Sequence, residues 1–135
     1  MIASEVSLWA KTGGLADVAG ALPAALDALG HRVTTVMPRY RDVVVPSTAV
    51  TTRRRVTVGA VAHEVDFLTH EVSERQRLVF LDVPSLYDRA GLYGTGGLDF
   101  KDNDERFGLL AAAALDFAAS DEAARVDVIH AHDWQ

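Results

Sequence analysis

The sequence contains no cysteine and no long apolar run. Without cysteine there is no disulfide framework, no cysteine-based zinc site and no thiol nucleophile, which agrees with a reducing compartment. The longest uninterrupted apolar run, residues 109–115, is far too short to cross a bilayer, and the first residues lack the basic and apolar regions of a secretion signal. We therefore expect a cytoplasmic protein with no membrane partner.

Basic residues are also fewer than acidic residues. Thirteen Lys and Arg residues stand against nineteen Asp and Glu residues, which gives a net charge of −6. This balance opposes binding to nucleic acid or to an anionic membrane surface. The 135 residues are 49% hydrophobic, which is enough for one domain with a core.

Strand and helix patterns alternate in the first forty residues. Residues 1–3 form a short apolar run, a glycine-rich turn follows, and the spacing of apolar residues then becomes helical. Gly30 is a helix-ending signal, residues 33–37 read as a second strand, and Pro38 ends it. This order predicts a βαβ unit with a right-handed crossover.

The helical part of this unit contains a proline. Pro23 lacks an N–H group and its ring clashes with the preceding turn, so we expect one helix to end near Gly20 and a second to begin at Pro23. The second helix should bury three leucines on one face, namely Leu22, Leu26 and Leu29.

Residues 42–83 change from helical to strand patterns. Residues 55–58, 61–68 and 78–83 read as strands, with a hairpin turn at residues 59–60. We expect this hairpin-rich insertion to extend or flank the parallel sheet. The basic run at residues 53–55 is predicted to lie at an exposed edge strand, where charge discourages strand addition, and this is favoured over contact with a phosphate or another ligand.

The last third of the chain combines a glycine-rich loop, a helix and a strand. Residues 87–100 read as a loop, and Asp102 followed by Glu105 predicts the start of a helix that runs to about Ala119. Residues 126–131 read as a buried strand. The fold class is therefore α/β: an open, mostly parallel Rossmann-like sheet with helices on both faces and a β-hairpin insertion.

The turn at residues 11–14 is the strongest candidate site. Gly13 and Gly14 allow positive φ and a close approach of the backbone to a ligand, and the N–H groups of the following helix turn favour an anion. Lys11 adds a mobile positive charge. The pattern matches neither G-x-G-x-x-G nor the P-loop, and from local chemistry alone a plain glycine turn with a solvated lysine is equally favoured.

A second candidate site lies at the end of the last predicted strand, where open α/β sheets bind ligands. His130, His132 and Asp133 could form a metal site, an acid–base or sugar-binding site, or a structural turn. In a strand the two histidines share a face and Asp133 points away, which disfavours a metal. We expect no metal and no cofactor.

Four motifs together resemble one family. Residues 11–18, Lys-Thr-Gly-Gly-Leu-Ala-Asp-Val, resemble the signature of bacterial glycogen synthases and plant starch synthases. Ser-Glu-Val at residues 4–6, Leu-Tyr-Asp-Arg at 86–89 and His-Ala-His-Asp-Trp at 130–134 stand in the order of that family. The resemblance extends over the whole chain.

The resemblance implies an architecture and a reaction. The family transfers glucose from a nucleotide sugar to the non-reducing end of an α-1,4-glucan with retention, using two Rossmann-like domains in a GT-B arrangement. Residues 1–135 would be an incomplete N-terminal domain, and the C-terminal nucleotide-binding domain would be absent. We therefore expect a fragment that is inactive alone, with ADP-glucose preferred over UDP-glucose on the resemblance only.

The resemblance also implies roles for individual residues. The family's lysine and glycines hold the donor, its aspartate after the last strand contacts sugar, and two polar positions lie in its middle region. We carry the catalytic roles to Asp133, with His132 in support. The expected substrate-binding residues are Lys11, Gly13, Gly14, Asp17, Tyr93 and Asn103. Glu5 is interpreted as a strand-end charge outside the site.

Three alternatives remain. A different GT-B sugar-nucleotide transferase would share the architecture but differ in donor and acceptor. A non-catalytic glucan-binding or interaction remnant would bind glucan without donor. A nicotinamide-dependent oxidoreductase is disfavoured, because the second strand ends in Met-Pro-Arg at residues 37–39 and lacks the acidic residue of that class.

Overall fold

The computed structural model describes residues 1–120 and 125–135. Three helices and six strands lie in these residues. In chain order they are α1 (Gly14–Ala28), β1 (Val33–Pro38), β2 (Val50–Val58), β3 (Val61–Glu71), β4 (Gln76–Asp82), α2 (Pro84–Tyr87), β5 (Gly94–Thr95), β6 (Leu98–Asp99) and α3 (Asn103–Ser120). Within the same ranges, no helix is both long and apolar enough to cross a membrane.

The main sheet is mixed, with strand order β1-β4-β3-β2. Strands β1 and β4 are parallel, whereas β4 with β3 and β3 with β2 are antiparallel. The prediction of a mostly parallel sheet is therefore wrong for these four strands. The physical reason is the length of the connections: residues 59–60 and 72–75 are too short for a crossover and permit only antiparallel neighbours.

The parallel part continues beyond β1 through isolated bridges. Ile2 pairs in parallel with Val36 of β1 on one side and with Ala131 on the other. Residues 1–3 thus lie beside β1, as the βαβ pattern predicts, and the end of the chain lies on their other side. The carboxyl ends of these segments face the same edge of the sheet.

Both faces of the sheet are covered. Phe117 of α3 stacks on Phe67 of β3 with ring centroids 5.5 Å apart, and Trp9 packs edge-on against Phe80 of β4 at 5.0 Å. Phe80 is opposite Leu68 in the register, and Leu68 follows Phe67, so the two aromatic contacts lie on opposite faces.

Helix α1 is continuous, so the predicted break at Pro23 is wrong. An internal proline costs a helix about 3 kcal/mol, but packing of the first half and a capped end outweigh this. Ala16 and Ala19 are fully buried. At the other end Gly30 has φ 89° and donates to the Asp27 carbonyl at 2.8 Å, which confirms the predicted cap.

The predicted leucine stripe of this helix is wrong at its last position. Leu22 and Leu26 are half-buried, but Leu29 is 74% exposed. Leu29 is the C-cap residue, and there the backbone has already left the helical path.

Residues 126–131 do not form the predicted buried strand. Only Ala131 makes a bridge, and the apolar side chains of Val126, Val128 and Ile129 are 45%, 78% and 53% exposed. The apolar sequence indicates strand propensity, but burial requires a packing partner. Within the described residues, this segment pairs with Ile2 on one side, and its apolar side chains are not covered by another element.

The basic run at residues 53–55 lies on β2, the terminal strand of the sheet, as predicted. Arg53 pairs with Asp66 through two contacts of 2.6 Å, and Arg54 lies 3.5 Å from Asp116. Each pair neutralises a neighbouring carboxylate. The predicted loop at residues 87–100 also contains a small hairpin, β5 with β6, which the sequence did not reveal.

Candidate functional site

Two chain segments bring the predicted site residues to one edge of the sheet. Ile2 donates to the His130 carbonyl at 2.9 Å, and His132 donates to the Ile2 carbonyl at 3.0 Å. Ser4 and Glu5 follow the first segment, just as the His-Asp-Trp residues follow the second. Both groups therefore leave the carboxyl ends of neighbouring parallel segments, where α/β sheets bind ligands.

Glu5 lies at the centre of this region. Its side chain is only 3% exposed, and it accepts hydrogen bonds from the Thr12 N–H group, from the Thr12 hydroxyl at 2.6 Å and from the Gly13 N–H group at 3.2 Å. It also accepts from the Tyr93 hydroxyl at 2.5 Å. One carboxylate thus fixes the turn that carries Lys11.

These donors set the charge state of Glu5. Burial alone would raise the pKa of the carboxyl, but the hydrogen bonds from Thr12, Tyr93 and Gly13 outweigh it and hold the pKa of Glu5 below its usual value. Glu5 is therefore an ionised carboxylate at neutral pH.

The glycine turn differs from the prediction in two respects. Gly13 has φ −148° and Gly14 is helical, so neither uses positive φ. The Gly13 N–H group is also taken by Glu5. The donors that remain are those of the first turn of α1, which have no acceptor within the helix, and the N-cap Gly13 supplies no side-chain acceptor.

No protein atoms lie next to Gly13 and Gly14 on the side where a side chain would stand. A Cβ atom placed on Gly13 or on Gly14 would meet no heavy atom within 4 Å. The turn is thus open on the side of the helix N-terminus, where an anionic group is favoured.

Lys11 lies beside this opening and is paired with Asp17 at 2.6 Å. The two side chains are 53% and 60% exposed. An exposed pair of this kind contributes about 0–1 kcal/mol, so Lys11 can exchange Asp17 for a ligand oxygen at small cost.

Tyr93 joins the turn to the end of the chain. The Tyr93 hydroxyl uses its proton in the hydrogen bond to Glu5. The Ser4 hydroxyl, 2.8 Å away, is therefore the donor to the Tyr93 oxygen. Its ring lies 5.7 Å from Phe107 and 6.0 Å from Trp134. Burial, together with the hydrogen bond to Glu5, raises the pKa of Tyr93, so the hydroxyl keeps its proton.

Asn103 is engaged within the protein. Its Nδ2 donates to the Tyr93 carbonyl at 2.9 Å, and its Oδ1 accepts from Nη1 of Arg106 at 2.6 Å. In the structure it holds the Tyr93 loop on α3. A direct contact between Asn103 and substrate stays a prediction.

His132 and Asp133 differ in their surroundings. The His132 ring stacks on His130 at 4.0 Å, and burial, followed by the nearby His130 and amino terminus, lowers the pKa of His132. Its Nε2 is buried without a hydrogen-bond partner among the described residues. Asp133 is exposed, has φ 61°, and its carboxylate accepts from the Trp134 N–H group at 2.8 Å.

The described ranges contain no group of three or more His, Cys, Asp or Glu side chains that could hold a metal ion. The candidate site thus consists of two parts. The turn part contains Lys11, the two glycines and Asp17, the terminal part contains His132 and Asp133, and Tyr93 connects them.

Sequence reasoning missed Glu5 and Arg106. The position of Glu5 after a strand predicts a strand-end charge, but a carboxylate seven residues before a turn with free N–H groups also indicates this kind of contact. The role of Arg106 carries no local signal, because its partners come from other parts of the chain.

The chain is similar to known proteins along its whole length. The family model described as the starch synthase catalytic domain matches residues 1–135. A glycogen synthase of Myxococcus xanthus is 45% identical, and the match covers 99% of this chain and 28% of that protein. A glycogen synthase of Jannaschia sp. is also 45% identical, with coverage of 99% and 28%. The chain thus spans about 28% of the length of these curated relatives.

A solved structure is similar as well. The catalytic domain of Starch Synthase IV from Arabidopsis thaliana, bound to ADP and acarbose, has a TM-score of 0.71 and 27% identity. The match covers 87% of this chain and 24% of that one.

Proposed function

Because the chain belongs to the family of starch synthase catalytic domains, we propose that it is the N-terminal, donor-side part of a glycogen synthase. The proposed reaction transfers glucose from ADP-glucose to the non-reducing end of an α-1,4-glucan with retention. Relatives about 3.5 times longer support the further proposal that a C-terminal nucleotide-binding domain completes the site.

The observation that carries this proposal is the turn held by Glu5. The Cβ positions of Gly13 and Gly14 face open space, and the Lys11 ammonium group lies at the first turn of α1, where it contacts Asp17. Breaking the glycosidic bond leaves negative charge on a diphosphate, and donors that are already oriented stabilise such charge without reorganisation. Lys11, Gly13 and Gly14 are the proposed diphosphate-binding residues.

The other residues take roles that fit their positions. The exposed carboxylate of Asp133 is proposed to bind a sugar hydroxyl, and His132, held neutral, to support it. Tyr93 and Asn103 are proposed to line the sugar side, and Asp17 to release Lys11 when donor binds. The Arabidopsis structure holds ADP, which is the product expected from an ADP-glucose donor.

The test uses the complete reading frame that contains this chain. We expect the purified protein to transfer labelled glucose from ADP-glucose to glycogen, and Lys11→Ala to lower kcat/KM for the donor roughly 100-fold. The matched control is Lys101→Ala, the other lysine of the chain, which is exposed on the loop before α3.

Three outcomes would contradict parts of this proposal. Transfer from UDP-glucose alone would indicate a different sugar-nucleotide transferase. Glycogen binding without transfer would indicate a non-catalytic binding protein. A Lys11→Ala variant with the kcat/KM of the Lys101→Ala control would remove the turn from the donor site.

A further inference from the structure

Arg106 is a fully buried arginine on α3. Three aromatic rings surround its guanidinium carbon, with centroids at 5.6 Å for Tyr87, 5.0 Å for Phe100 and 5.2 Å for Phe107. Burying a charged group is unfavourable unless its hydrogen bonds are made. The contacts that Arg106 makes therefore indicate its purpose in the fold.

The hydrogen bonds of this guanidinium go to neutral oxygens. Nε donates to the Leu86 carbonyl at 2.8 Å, and Nη1 donates to Oδ1 of Asn103 at 2.6 Å. Nη2 is buried without a hydrogen-bond partner in the part of the chain that the structure describes. The Arg106 carbonyl in turn accepts from the Tyr87 hydroxyl at 2.6 Å.

A continuous path leads from Arg106 to the turn. Asn103 donates from Nδ2 to the Tyr93 carbonyl at 2.9 Å, and the Tyr93 hydroxyl donates to Glu5 at 2.5 Å. Glu5 accepts from the Thr12 and Gly13 N–H groups. Arg106 thus connects the Leu86–Tyr87 segment, the Tyr93 loop and the Lys11 turn.

We propose that Arg106 is a positioning residue of the donor site, which orients Tyr93 through Asn103 and thereby holds Glu5 on the turn. This inference rests on the proposed function for its catalytic consequence. Lysine cannot replace the arginine, because a single ammonium group lacks the planar fork that reaches Leu86 and Asn103 in two fixed directions.

The test compares Arg106→Lys with Arg54→Lys in the complete protein. Arg54 is the control, since its side chain is partly buried, at 29% exposed, and lies over an aromatic ring, Phe67, at 6.0 Å. We expect Arg106→Lys to lower kcat/KM for the donor roughly 10- to 100-fold, with the larger share in kcat, because small misplacements of donor-binding groups reduce rates by such factors. Arg54→Lys should stay within about twofold.

A second readout does not need activity. Hydrogen–deuterium exchange of the peptide that contains residues 11–14 should speed up about tenfold in Arg106→Lys, because the Glu5 contacts open more often, and stay unchanged in Arg54→Lys. If Arg106→Lys does not fold, Asn103→Ala removes the next link and should give the same faster exchange.

The outcomes separate the two proposals. Unchanged exchange and unchanged kcat/KM in a folded Arg106→Lys protein would overturn the positioning role, whatever the melting temperature. Unchanged exchange in Asn103→Ala would do the same if the lysine variant is unfolded. A wild-type protein that transfers no glucose would refute the proposed function, and the exchange comparison would still decide the role of Arg106.

Discussion

At the scale of single residues, Glu5 has the greatest influence on the candidate site. Its buried carboxylate is stable because four hydrogen-bond donors surround it, two from Thr12 and one each from Gly13 and Tyr93. Its negative charge is stabilised by hydrogen bonds from the protein itself. The groups left to meet a ligand are the Lys11 ammonium and the first N–H groups of α1.

We predict a pH-dependent loss of stability that depends on Glu5. Because its pKa in the folded state lies below the usual 4.5, Glu5 stabilises the fold fully above about pH 4.5 and less as pH falls through the folded-state pKa. Glu5→Gln should lower the free energy of unfolding by about 1–3 kcal/mol at pH 7, and the difference from wild type should shrink towards pH 3. Urea unfolding at several pH values measures both quantities.

The matched control for this prediction is Glu74→Gln, which changes an exposed carboxylate. It should shift the unfolding free energy by less than about 0.5 kcal/mol. A Glu5→Gln difference that stays constant from pH 7 to pH 3 would show that the charge of Glu5 does not matter.

The site residues predicted from the sequence and the two residues it missed differ in how local their sequence signals are. Lys11, Gly13 and Asp133 stand in local motifs, and the family's order of motifs points to them. Arg106 meets Leu86 across 20 residues, so its role exists only in the folded chain. Glu5 meets Tyr93 across 88 residues, but its bonds to Thr12, seven residues away, are local and could have been predicted.

At the scale of elements, the close approach of α1 to the preceding loop depends on a glycine. A Cβ atom on Gly20 would lie 2.2 Å from the Ser7 hydroxyl oxygen and 3.2 Å from the Ser7 Cβ. The Ser7 N–H group also donates to the Ala16 carbonyl at 2.9 Å. The loop that carries Glu5 therefore rests directly on the first half of α1.

We predict that Gly20→Ala destabilises the protein although alanine favours helices. The gain in helix propensity is about 1 kcal/mol, whereas forcing Ser7 away should cost about 1–3 kcal/mol. Thermal unfolding should show a net loss, and adding Ser7→Ala should restore part of it. Gly14→Ala, with no heavy atom within 4 Å of its Cβ, is the control and should not lose stability. Equal effects of the two glycine substitutions would argue against the close contact.

The elements that the sequence predicted well are those with clear periodicity. Strands β1, β3 and β4 and helix α3 lie close to their predicted positions, whereas β2 begins at Val50, before its predicted start at residue 55. The prediction failed at Pro23 and at residues 126–131. In both places tertiary packing, not local sequence, decides the outcome, because packing can extend a helix through proline and only a partner can bury a strand.

At the scale of the whole molecule, the candidate donor site is formed from one side. The Cβ positions of Gly13 and Gly14 face open space, the Lys11 side chain is 53% exposed, and the chain spans about 28% of the length of its relatives. In the proposed enzyme the nucleotide and part of the diphosphate are bound by the remaining residues. Affinity for the donor should therefore depend on both parts.

We predict that residues 1–135 alone transfer no glucose to glycogen and bind ADP-glucose weakly at best, in contrast to the complete protein. Calorimetry with ADP-glucose and a labelled-donor assay measure the two properties. Circular dichroism of the short protein serves as the control for folding. Transfer by residues 1–135 at a rate comparable to the complete protein would contradict the assignment of the missing contacts.

The two sets of hydrogen bonds on Glu5 also imply an order of assembly. Thr12 is seven residues away along the chain and Tyr93 is 88 away. Closing the longer loop costs about 2 kcal/mol more in chain entropy than closing the shorter one. During folding, the Lys11 turn can therefore form around Glu5 as a local nucleus, and the Tyr93 loop locks it only when α3 has docked on the sheet.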